Sequence, residues 1–88
     1  MKWFFTIEDT IVYYLNTHSV RAEYHKIMAK TEKSKNIVEF SECMCDKEEE
    51  IIQILTHLLR VCNKEFFRKK LTVNYHGIEF EATQYYLL

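Results

Sequence analysis

The sequence predicts an α+β fold, because its apolar residues recur with two different periods. Across residues 46–68 they return every three or four positions, as on a helix buried along one side. Across residues 71–82 they alternate with polar residues, as on a strand with one wet face. The 88 residues suit one small domain spanning 1–88, and 48% hydrophobic with 28% charged residues is a folding composition.

The N-terminal third reads as two helical pieces. Thr6 with Asp9 three positions on has the form of a capping box. At about 100° per residue, Ile7, Ile11, Tyr14 and Leu15 share one direction. Val20, Tyr24, Ile27 and Met28 share another, roughly 140° away. One straight helix cannot bury both stripes against one core, so a kink or turn is expected at 16–19, with Ser19 able to cap the second piece. The β-branched and aromatic residues at 10–15 leave a strand there as a competing reading.

After a lysine-rich polar loop at 30–36, Val38 and Phe40 suggest a short strand within 36–43 that would join a small antiparallel sheet. A long capped helix follows at 46–68, with Asp46 and Glu49 as cap and reciprocal partner. Ile51, Ile52, Leu55, Leu58, Leu59, Cys62 and Phe66 give it one broad apolar face. Acids at its start and Arg60, Lys64, Arg68, Lys69 and Lys70 at its finish suit the helix dipole.

The segment beyond folds back as a C-terminal β-hairpin. A two-residue turn at His76-Gly77 pairs Tyr75 with Ile78, Val73 with Phe80 and Leu71 with Ala82, all on one apolar face. Thr72/Glu81 and Asn74/Glu79 then share the wet face, and the only glycine falls where the turn needs a positive φ. The alternation lapses over 84–88.

Composition narrows the function. A net charge of −1 is unlike a protein built on non-specific DNA binding, which needs a basic excess. The apolar start at 1–5 is cut short by Glu8 and Asp9, so neither a signal peptide nor a membrane span is expected. Three cysteines, an odd number, suit free thiols in a reducing, cytoplasmic (intracellular) setting.

The reactive motifs are sparse. Cys43, Cys45 and Cys62 lack the paired spacing of a zinc site, and His57 lies about 140° around the helix from Cys62, so no metal and no cofactor are expected. There is no nucleophile elbow, no Gly-rich phosphate loop and no His-Glu-x-x-His motif. The acidic neighbours Glu49/Glu50 and Glu79/Glu81 read as a solvated helix start and a wet hairpin face. The chain is therefore not expected to be an enzyme.

Two binding surfaces compete. Aromatics make up 15% of the chain, and Phe66, Phe80, Tyr24 and Phe40 fall on core stripes. Tyr85, Tyr86, Leu87 and Leu88, with the free hairpin edge, are the expected protein-binding patch, since tyrosine is a common interface anchor. The expected partner is another protein, or a second copy in a homodimer. The alternative is a winged-helix-like nucleic-acid binder using Arg60, Lys64, Arg68, Lys69 and Lys70 at the basic helix end beside the hairpin. The acids opening that helix count against it. The leading expectation is a small non-enzymatic regulator or inhibitor. Nine lysines against three arginines, with frequent Ile, Phe and Tyr, associate it with phage or mobile-element proteins acting on a host factor.

Overall fold

A computed structural model describes residues 6–88. The architecture is α+β: α1 (Ile7–Thr31), α2 (Lys35–Val61), β1 (Phe66–Tyr75) and β2 (Ile78–Leu87). The helices form an antiparallel pair, and the two strands form a hairpin packed against α1 through β2. No helix of the described residues is long and apolar enough to cross a membrane. The 1–5 start considered above lies outside the described residues.

Helix α1 begins where the sequence places it. The Thr6 hydroxyl accepts from the Asp9 amide, and the Asp9 carboxylate accepts from the Thr6 amide. It then runs unbroken through 16–19, so neither the expected kink nor the alternative strand at 10–15 forms. Ser19 is no cap; it lies buried inside the helix. The two apolar stripes are reconciled by having two partners. Ile11 and Leu15 enter the core with Leu59 and Tyr85, while Tyr24 leans on Tyr75 and His76 at the hairpin turn. Ile7 and Tyr14, expected on the first stripe's buried side, are 74% and 48% exposed.

Helix α2 starts at Lys35, so the short strand expected within 36–43 is helix instead. Among the described residues the sheet has two strands. Asp46 and Glu49 lie in mid-helix and form no cap; the N-cap is Ser34, which makes no side-chain cap bond. The helix ends seven residues before Arg68. Asn63 takes a left-handed φ of 56°, and Lys64 N–H bonds Leu59 C=O while Asn63 N–H bonds Arg60 C=O. That pair of reversed bonds is the Schellman stop, with Asn in the place glycine usually fills.

The hairpin register is the expected one and extends to Phe66 opposite Leu87. His76 (φ 52°) and Gly77 (φ 77°) make the two-residue turn. The lapse in alternation after Gln84 has a physical cause. Near the turn, the face carrying Ala82 and Tyr75 meets the rest of the molecule; at the open end, the opposite face carrying Phe66, Tyr85 and Leu87 enters the core. A two-stranded ribbon ten residues long twists enough to turn either side inward.

Asn16 joins the layers. Its amide oxygen accepts from Tyr85 N–H at 2.6 Å, and its amide nitrogen donates to Tyr85 C=O at 3.2 Å. Tyr85 is paired with Arg68. In the alternating pattern set by the turn, this is a pair whose backbone groups point away from the other strand, so Asn16 occupies the edge bonds a third strand would take.

Candidate protein-interaction surface

The contact between α1 and α2 is a narrow seam. Ser41, Cys45, Glu48, Ile52, Leu55 and Leu59 recur at steps of four and three along α2 and face α1. Several of the buried residues on the two helices are small, Ser19 and Ala22 on α1 and Ser41 and Cys45 on α2. Glu48, 4% exposed, is paired with His18 Nδ1 across the seam. Beside it, Lys26 lies 3.3 Å from Glu49 and 3.6 Å from Glu23. Burial works against the Lys26 charge, but the hydrogen bond to Glu49 and the charges of Glu23 and Glu49 outweigh it and raise its pKa.

One residue back along α2 runs a second stripe. Ile37, Phe40, Met44, Lys47, Ile51, Ile54, Leu58 and Val61 are spaced three, four, three, four, three, four and three apart. Seven of these eight are apolar, and the stripe lies about 100° around the axis from the α1 seam. Ile37, Phe40, Ile51, Ile54, Leu58 and Val61 are 36–63% exposed. Around Ile54 and Leu58 the surface dips into a shallow apolar depression edged by Glu50, Gln53 and His57. A row of large apolar side chains along a whole helix face is what a binding surface looks like, whereas scattered exposed apolar residues are ordinary.

The expected sites fare differently. Of the C-terminal patch, Tyr85 is 5% exposed and belongs to the core, Tyr86 and Leu87 are half-buried, and Leu88 is 79% exposed. Tyr86 stacks on Phe67 at 5.1 Å, leaving a small aromatic pair at the open end of the hairpin. The basic residues do not form the expected helical row. Arg60 alone is on α2, with its guanidinium 5.9 Å from the Phe66 ring centre; Lys64 is in the connection, and Arg68, Lys69 and Lys70 are on β1, pointing alternately to opposite faces. Phe66, expected on the helix, opens β1, and Phe40, expected in the core, is 61% exposed. Cys62, expected on the buried face, is exposed at the helix end.

The thiols are separated. Cys43 and Cys62 are exposed and Cys45 is buried; burial first, then the Glu49 carboxylate, raises the Cys45 pKa and keeps it a thiol at neutral pH. Among the described residues no group of three or more His, Cys, Asp or Glu side chains converges as a metal site would require.

No family model, curated protein or solved structure matches the chain. The functional reading therefore rests on the surface itself.

The α2 stripe was partly legible. Periodicity within 46–68 merges Ile51 and Leu58 with Ile52, Leu55 and Leu59 into one broad face, and the strand-like run of 37–40 conceals the helix start at Lys35. Counting the 3-4 spacing from Ile37 separates the two adjacent seams.

Proposed function

We propose that this protein is a non-enzymatic binding protein, a small regulator or inhibitor that acts by docking the outer face of α2 on another polypeptide. The exposed stripe from Ile37 to Val61 carries the reading: six large apolar side chains in helical register that the protein's own core does not use. A helix face of this form suits helix-in-groove or helix-on-helix recognition, in which anchors at steps of three and four supply the contact area. Phe67, Tyr86 and Leu88 at the hairpin's open end offer a smaller second contact.

The test is co-purification with the wild-type chain and with an Ile54→Glu/Leu58→Glu variant, both checked for helix content by circular dichroism. Neither residue belongs to the core cluster, so the variant is expected to keep its fold. Wild type is expected to hold a polypeptide partner, its own or another, in simple stoichiometry, and the variant to lose it. Identical retention by both proteins would refute the α2 face as the docking surface.

A further inference from the structure

The α2 stripe has a symmetry that identifies its partner. We infer that it is covered by the same stripe of a second copy, with the two α2 helices antiparallel about a two-fold axis near Glu49. The inference rests on the docking role proposed above and names the occupant.

The spacing of the stripe reads the same in both directions along the helix. In an antiparallel pair centred near residue 49, Ile37 meets the other copy's Val61, Phe40 meets Leu58, Met44 meets Ile54 and Lys47 meets Ile51. An isologous two-fold interface demands this property, because one surface must complement itself. The alternating three and four steps are also those of a left-handed helix pair packed knobs into holes. Ile37 and Val61, 45% and 63% exposed, stand at opposite ends of the stripe. A helix of equal length laid antiparallel covers both ends at once. The 27 residues of α2 span about 40 Å at 1.5 Å per residue, enough length for an interface of standard size, about 800 Å² per partner.

Charge selects the direction. Lys47 is the one interruption of the stripe, and Glu50 stands on its border; both are exposed. The antiparallel axis brings Lys47 of each copy beside Glu50 of the other, giving two opposite-charge contacts. A parallel, in-register pair would instead place the two Lys47 side chains together in the middle of the apolar seam. A different protein would have to supply both the matching spacing and the central acid. A second copy does so automatically.

Sedimentation equilibrium of the full chain, together with charge-swapped variants, tests the arrangement. Wild type is expected at twice the 10.7 kDa chain mass, and Ile54→Glu/Leu58→Glu at the chain mass with helix retained. Lys47→Glu alone and Glu50→Lys alone each place like charges across the axis and weaken the dimer about tenfold. Mixing these two variants puts opposite charges together again in a heterodimer, which should form preferentially over either homodimer. The single-chain mass for wild type at its highest soluble concentration, or mixing without preference, overturns the inference. If that monomer still loses a different polypeptide on Ile54→Glu/Leu58→Glu, the docking role stands without the self-pairing; if the variant changes nothing, both fall.

Discussion

Glu48 shows how one residue limits what the helix pair can tolerate. Its carboxylate is in the narrow seam between α1 and α2, and its partner is His18, whose side chain is 16% exposed against 5% for Glu48. Removing a partner from a buried charged group is more damaging than removing the charged group itself, because the survivor loses its compensation. His18→Ala strands the carboxylate in the seam and should destabilise the protein by about 3 kcal/mol. Glu48→Leu removes the charge, continues the apolar run between Cys45 and Ile52, and leaves His18 within reach of water. It should cost less than His18→Ala, because the imidazole left behind is part-exposed and can be neutral and hydrated. Urea midpoints of the two variants give the comparison, and equal losses would mean that packing, rather than the uncompensated charge, sets the cost.

At the scale of elements, the hairpin was readable and the helices were only partly so. Period-two alternation between Leu71 and Ala82, with Gly77 in the turn, leaves one register that keeps every apolar side chain on one face, and that register forms. The segment at 37–40 shows the opposite case: Ile37, Val38 and Phe40 favour strands locally, yet the segment is drawn into a helix that buries the following Ser41 and Cys45 and leaves Ile37 and Phe40 exposed. The stop at Asn63 was present in the sequence but hidden by Phe66, which continues the helical spacing by coincidence. The union of α1 with the hairpin depends on a long-range contact that periodicity does not encode, the paired bonds from Asn16 to the Tyr85 backbone. Asn16→Ala leaves an N–H and a C=O beside the core without those partners, a loss of about 1–3 kcal/mol. Thermal unfolding should register it. Amide exchange at Tyr85 should accelerate more than at Leu71 or Val73, which the substitution does not touch.

For the whole molecule, the described core is thin and the outer surface correspondingly apolar. Leu15 and Leu59 are its largest fully buried side chains, while six large apolar residues of α2 remain outside. The candidate site was therefore harder to read than the fold. Periodicity shows that α2 has apolar positions, but only the packed structure shows which row α1 has taken and which row is left. The same thin core lets a polar cluster in the helix groove influence the pH range of stability. Folding raises the pKa of Cys45 above its ordinary 9.0, mainly by burial. It also raises that of Lys26 above 10.5, where burial pulls the other way but is outweighed by the hydrogen bond to Glu49 and the neighbouring negative charges. In both cases the folded value lies above the unfolded one, so the contribution is complete below the ordinary value and is lost as pH rises through the raised one. Stability should accordingly fall on the alkaline side, beginning above pH 9.0 with Cys45. The Lys26 part should be small and salt-sensitive, because that side chain is 45% exposed. Cys45→Ala removes the titrating thiol from a seam already built of small residues. Urea midpoints measured from neutral pH to above pH 10.5 should fall less steeply for this variant than for wild type at the onset. Parallel curves over the whole range would show that the buried thiol does not contribute to the alkaline limb.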